Sequence, residues 1–99
     1  MKRVEIYFDE SVENEIMMIL RQAQVENWSR IDNVRGHGTS GSKLGNAVGP
    51  GINSQLVVFA EDESAARVLE GVRRFKQVAA DAGGHAGTKC AVMDVETFL

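Results

Sequence analysis

Two glycine-rich segments hold the residues whose types and spacing suit chemistry in this sequence of 99 residues. The first glycine segment, residues 36–53, contains six of the ten glycines, and the second, residues 83–89, reads Gly-Gly-His-Ala-Gly-Thr-Lys. Backbone amides without neighbouring side chains, together with a nearby lysine, can bind a phosphate or another anion. The alternative interpretations are a flexible hairpin connection for the first segment and a helix stop with an exposed lysine for the second.

The first glycine segment comes close to two nucleotide-binding motifs without completing either. Residues 36–41 match Gly-x-Gly-x-x-Gly, but a dinucleotide site also needs a helix that begins at the third glycine. The glycines and the proline of residues 45–51 exclude such a helix, and Ser42-Lys43 departs from a P-loop, in which lysine directly follows glycine. Because structureless loops beyond about a dozen residues are uncommon and usually functional or disordered, we interpret the segment as a mobile functional loop.

His37 and His85 are the two histidines of the sequence, one in each glycine segment. If the segments meet, within one chain or across a subunit boundary, these side chains could share a metal ion with Cys90 or a carboxylate. Solvated histidines are the alternative, because no local spacing of metal ligands surrounds them. Cys90 is most simply a small core residue in a strand. No nucleophile elbow and no Ser–His–acid pattern is recognisable, so we expect no enzymatic activity.

Composition excludes several classes of function. A net charge of −3 and a pI near 5.3 argue against nucleic-acid binding, which needs a basic face. No apolar run approaches the roughly 18 residues of a membrane span, so we expect no membrane insertion. A charged N-terminus that does not resemble a signal peptide and a single cysteine, which excludes an internal disulfide, indicate a cytoplasmic protein. The length predicts one domain, residues 1–99.

Hydrophobic periodicity predicts the elements that position the glycine segments. In chain order these are a strand at 3–8, a helix at 11–26, a strand at 28–35, a strand at 55–60, a helix that begins after 61–64 and ends at 82–87, and a strand at 88–95. The order βαβ–loop–βαβ predicts an α+β, ferredoxin-like βαββαβ fold with a four-stranded antiparallel sheet and two helices on one face. On the other face, Tyr7, Val57 and Phe59 would be exposed to solvent in a monomer, which favours oligomerisation through that face.

The order of elements, over nearly the whole chain, resembles the PII (GlnB-type) signalling superfamily. Gly36-His37-Gly38 resembles the base of the family's T-loop, and Gly87-Thr88-Lys89 resembles its phosphate-holding B-loop. Residues 92–96 are similar to the closing V-x-P-V-E run, with aspartate for proline, and residues 49–53 to the P-G-x-N sequence before the third strand. The Arg-Gln-Lys that follows the G-x-G, the loop tyrosine and the C-terminal arginines are missing, which points to a non-classical member.

This resemblance implies a cytoplasmic homotrimer that binds an adenine nucleotide (ATP, ADP or AMP) in clefts between subunits. The residues expected to hold the nucleotide come from both glycine segments: Gly36, Gly38, Thr39, Ser40, Lys43, Gly84, His85, Gly87, Thr88 and Lys89. The T-loop-like flexible segment 36–53, poorly ordered at 39–49 when empty, would regulate a partner such as a membrane transporter or metabolic enzyme. The alternative is a metal-binding or metal-responsive trimer of CutA-like architecture, carried by His37 and His85, and a third hypothesis is a small enzyme acting on nucleotides.

Overall fold

The structure, a computed structural model, describes residues 1–38, 41–43 and 53–99. In chain order its elements are β1 (Lys2–Asp9), a 3₁₀ turn (Glu10–Val12), α1 (Glu13–Gln22), β2 (Ser29–Val34), β3 (Gly36–Gly38), β4 (Gly41–Lys43), β5 (Asn53–Ala60), α2 (Asp62–Asp81) and β6 (Thr88–Asp94). The predicted α+β class is confirmed.

Four strands form one antiparallel sheet in the order β2-β5-β1-β6. The central pair is β1 and β5, which align without a break from Lys2 opposite Ala60 to Asp9 opposite Asn53. Strands β3 and β4 pair only with each other, in a short hairpin that follows β2. The strand order and the two helices confirm the predicted ferredoxin-like fold.

The hydrophobic core lies between one face of the sheet and the two helices. Its wholly buried members include Val4, Ile6 and Phe8 from β1, Leu56 and Val58 from β5, Ile16 and Leu20 from α1, and Val68 from α2. The helices approach each other closely at Gly71, where an added Cβ would lie 2.8 Å from Cγ2 of Ile19. Alternation in the two central strands therefore determines which face of the sheet carries the helices.

The ends of the two helices compare differently with the sequence-based expectations. Helix α2 ends before Gly83, at φ 78°, and Gly84 N–H donates to the carbonyl of Ala79 at 2.9 Å, as predicted from the glycines. The predicted helix over 11–26 is wrong at its C-terminal end, because α1 ends at Gln22. Gln24, at φ 61°, takes the left-handed position that glycine usually occupies. The predicted strand limits agree to within two residues.

The second face of the sheet, which we call the open face, carries no helix from the described residues. Tyr7 and Val57 lie on it half-buried, and Phe59 is 38% exposed, as predicted from the alternation. Ile31 is exposed on the same face, and the Phe98 ring lies 4.9 Å from that of Phe59 between centroids. In a single chain this face therefore presents these apolar side chains to water, beside the ion pair of Arg3 and Glu5. Among the described residues, no helix is both long and apolar enough to cross a membrane.

Candidate functional site

Both glycine segments begin or end at the same end of the sheet. The antiparallel register brings together the last residues of β1 and β2 and the first residues of β5 and β6, since Asp9 and Val34 both lie opposite Asn53, and Phe8 lies opposite Thr88. The first segment leaves the edge strand β2, whereas the second enters the opposite edge strand β6. Three strand spacings of about 4.8 Å separate these edges, about 14 Å in all. Within one chain, the point where the first segment leaves the sheet and the point where the second segment enters it therefore lie on opposite edges.

The second glycine segment forms a turn that is held tightly to β1. The Asp9 N–H donates to the carbonyl of Gly87 at 2.9 Å, and the Asp9 carboxylate accepts from Ser11 N–H at 3.0 Å. Gly87 has φ 60°, and a Cβ on it would lie 3.2 Å from Cβ of Asp9. Both its backbone conformation and this close approach require glycine at position 87.

Several donors predicted to hold a phosphate are engaged inside this turn. Gly87 N–H donates to Nδ1 of His85 at 3.0 Å, and the hydroxyl of Thr88, which is buried, donates to the carbonyl of Ala86 at 3.0 Å. Gly84 N–H closes the end of α2. An anion that binds these groups must therefore replace existing hydrogen bonds.

Two side chains of the second glycine segment are exposed, those of His85 and Lys89. Nδ1 of His85 accepts the hydrogen bond from Gly87 N–H, so Nε2 is the ring nitrogen that faces a ligand. Lys89 lies opposite Tyr7 in the register, which places its side chain on the open face. These two groups are the polar contacts that the segment offers to a ligand.

The first glycine segment is described only in part. Gly36, His37 and Gly38 pair with Lys43, Ser42 and Gly41 in the β3–β4 hairpin. His37 is exposed, and a Cβ on Gly36 would meet no described residue within 4 Å. Thr39, Ser40 and residues 44–52 lie outside the described residues, as does the side chain of Lys43. The predicted nucleotide contacts of this segment, and its predicted poor order over 39–49, therefore stay predictions.

The structure gives no support to a metal site in the part of the chain that it describes. No group of three or more His, Cys, Asp or Glu side chains there could hold a metal ion. His37 lies in the separate β3–β4 hairpin that follows the edge strand β2, and His85 lies in the turn before the opposite edge strand β6. Cys90 packs half-buried against the core, as predicted, and burial raises the pKa of its thiol.

A polar cluster beneath the edge strand β2 was not predicted. Arg30 donates through Nε to a carboxylate oxygen of Asp32 at 2.6 Å and also contacts the carboxylate of Glu13 at the start of α1. The hydroxyl of Ser54 donates to the same Asp32 oxygen at 2.9 Å. Hydrogen bonds from Arg30 and then from Ser54 lower the pKa of Asp32, and those to Asp32 and Glu13 raise the pKa of Arg30. Arg30 and Asp32 therefore keep their charges at neutral pH.

A shallow groove between the two helices lies outside this end of the sheet. Its floor is formed by Ile19, Ala23 and Gly71, and its rim includes Arg67 and Arg74. Arg67 donates to the carbonyl of Ala23 at 3.4 Å, which satisfies the C-terminal end of α1. The groove is therefore explained by the close crossing of the helices.

No protein-family model matches the sequence, and no curated protein matches it. Among solved structures, it is similar to CPII, a nitrogen regulatory PII-like protein from Thiomonas intermedia K12 bound to ADP, AMP and bicarbonate, with a TM-score of 0.72, 19% identity, and coverage of 97% of this chain and 88% of that chain. The apo form of CPII matches with a TM-score of 0.70, 16% identity, and coverage of 95% and 87%.

A PII-like signalling protein from Thermus thermophilus matches with a TM-score of 0.70, 19% identity, and coverage of 95% of this chain and 85% of that chain. These similarities extend along both chains in each comparison and include the sheet and both helices. At the level of the fold they confirm the resemblance predicted from the sequence: the chain has the fold of the PII-like proteins.

Proposed function

We propose that this protein is a non-classical PII-like regulatory protein, a cytoplasmic homotrimer that binds an adenine nucleotide between subunits. The observation that carries the proposal is the placement of both glycine segments at one end of the sheet, on opposite edges. CPII, which has the same fold, was solved bound to ADP and AMP. The segment 36–53 then controls a partner protein, such as a transporter or a metabolic enzyme.

The distance between the edges supports a site between subunits. The edge strand that the first segment leaves and the edge strand that the second segment enters are about 14 Å apart within one chain, which favours a compact ligand that contacts one segment from each of two copies. The open face offers an apolar surface on which copies can associate, with Val57, Phe59 and Ile31 on it. Lys89 also lies on this face, and association therefore brings its ammonium group to the boundary between copies.

The second glycine segment supplies the groups that recognise the phosphates. The ammonium group of Lys89 provides charge, and Nε2 of His85 provides a second polar contact on a ring that the Gly87 hydrogen bond holds in place. None of the described residues beyond its chain neighbours lies within 4 Å of the Cβ position of Gly36, which favours approach of a ligand to the backbone there. Contacts between the nucleotide and the first segment would offset the entropy lost on ordering it, and the partner would read this change.

Titration calorimetry of the full chain with ADP, AMP and ATP tests the proposal. Lys89→Ala is expected to weaken binding about tenfold or more, since a charged hydrogen bond contributes about 1.5–3 kcal/mol. Lys76→Ala is the matched control, because it removes an exposed lysine from α2 on the helical side. A sedimentation experiment on the same sample establishes the trimer. A trimer that takes up none of the three nucleotides at millimolar concentration would contradict the proposal.

A further inference from the structure

Strand β2 contains a β-bulge immediately before the β3–β4 hairpin. Ile31 lies opposite Gln55 and Val34 lies opposite Asn53, so Asp32 and Asn33 together oppose Ser54. Asn33 has φ 58°, which asparagine tolerates better than most residues. The extra residue places Val34 on the open face, whereas simple alternation from Arg30 would turn it toward the helices.

Side chains from three elements hold this bulge in place. The carboxylate of Asp32 accepts hydrogen bonds from Arg30 Nε at 2.6 Å and from Ser54 Oγ at 2.9 Å. Ser54 is only 2% exposed, so its hydroxyl has a fixed position on β5. The guanidinium of Arg30 contacts Glu13 and lies 5.5 Å from the ring centroid of Phe8. The bulge is therefore tied to β1, β5 and the start of α1.

We propose that Arg30, Asp32 and Ser54 are positioning residues, here called the clamp, that fix the bulge and so the direction in which the β3–β4 hairpin leaves the sheet. A bulge bends its strand and re-aims the residues that follow it. Only Arg35 separates β2 from the hairpin, so a change at the bulge passes directly to Gly36. The consequence for nucleotide binding rests on the proposed function, whereas the effect on the hairpin does not.

The test measures the orientation of the hairpin in the full chain without nucleotide. Residual dipolar couplings of the amides of Gly36, Gly38 and Gly41 are compared with those of β1 and β5, which define the frame of the sheet. In wild-type protein and in the control Gln77→Ala, which removes a hydrogen bond on the surface of α2, a single alignment tensor should fit the couplings of the hairpin and of the two strands together. In Asp32→Asn the hairpin couplings should no longer fit the alignment of β1 and β5.

Two further variants separate positioning from general loss of stability. Ser54→Ala removes one donor to Asp32 without a charge change, and it replaces Asp32→Asn if that variant does not fold. At the bulge itself, Asn33→Gly preserves the positive φ and should keep the wild-type couplings, whereas the β-branched Asn33→Val should lose them. Hairpin couplings that remain wild-type in Asp32→Asn, Ser54→Ala and Asn33→Val would overturn the proposal, as would couplings that change equally in β1 and β5.

Titration of the same samples with ADP distinguishes this proposal from the proposed function. If wild-type protein binds no ADP, the proposed function fails, and the couplings still decide whether the clamp positions the hairpin. If wild-type protein binds ADP, the Asp32→Asn variant should bind ADP more weakly. Displaced hairpin couplings with unchanged ADP affinity would support the clamp and overturn its role in binding.

Discussion

Replacement of Gly87 by alanine tests the geometry of the second glycine segment. At φ 60° an alanine pays a left-handed backbone cost of about 1–2 kcal/mol. Its Cβ would also lie 3.2 Å from Cβ of Asp9, and the resulting crowding adds up to about 1 kcal/mol, the low end of overpacking costs. We therefore expect Gly87→Ala to lower the free energy of unfolding by about 2 kcal/mol.

Two neighbouring glycines provide matched controls for this prediction. Gly83 has φ 78° but open space around its Cβ position, so Gly83→Ala should cost only the backbone term of about 1–2 kcal/mol. Gly84 is not at positive φ, and its nearest neighbour is the carbonyl oxygen of Ala79 at 3.5 Å, an ordinary contact. Gly84→Ala should therefore change stability least.

Urea unfolding followed by far-UV circular dichroism measures the three variants. The comparison is made at one fixed protein concentration, because assembly links stability to concentration. Calorimetry with ADP adds a second measurement. In Gly87→Ala the turn is displaced from Asp9, so the affinity for ADP should fall about tenfold, as on the loss of one good hydrogen bond. In Gly83→Ala the affinity for ADP should be unchanged. Equal stability of Gly87→Ala and Gly84→Ala would refute the described turn.

Three further predictions concern other parts of the molecule. Gly71→Ala should destabilise the protein, because the new Cβ would lie 2.8 Å from Ile19 Cγ2, and overpacking of about 1–3 kcal/mol outweighs the gain in helix propensity of about 1 kcal/mol. In a protein that already carries Ile19→Ala, the same Gly71→Ala change should stabilise, and equal effects in the two backgrounds would contradict the close crossing. Folding lowers the pKa of Asp32, so the carboxylate stabilises the folded protein above the unfolded-state pKa of about 3.9, and this stabilisation is lost as pH falls through the lower folded-state pKa. The free energy of unfolding should therefore fall less steeply with acid in Asp32→Asn, and an unchanged pH profile would contradict the cluster. Phe59→Glu, on the open face, should give monomers in sedimentation, whereas Val78→Glu, on the exposed side of α2, should not. Trimers in both variants would show that the open face is not the interface between subunits.

The fold could be predicted from the sequence because its two central strands are buried on one face only. Alternation of Val4, Ile6 and Phe8 assigns each residue to one side, and a shift of one residue would expose all of them. Glycine at position 83 predicts the end of α2. The end of α1 could not be predicted, since Gln24 takes the same conformation without glycine's usual preference for it.

The sequence predicts which segments form the candidate site, but not the hydrogen bonds inside them. Glycine spacing indicated the two segments, because such sequences favour turns and exposed amides. The hydrogen bonds that engage Gly87 N–H and the Thr88 hydroxyl depend on the turn itself. The bulge depends on contacts between Asp32 and Ser54, which are 22 residues apart. A polar Asp-Asn pair in a weakly patterned strand was the one local indication of it.

Native mass spectrometry of the full chain with ADP tests the central claim most directly, because it reads assembly and binding in one spectrum. Wild-type protein should give trimers that carry ADP, and Phe59→Glu should give ADP-free monomers, since the proposed site lies between subunits. ADP bound to a monomer would contradict a site that needs two copies, and trimers that bind no ADP at millimolar concentration would contradict the nucleotide-sensing role.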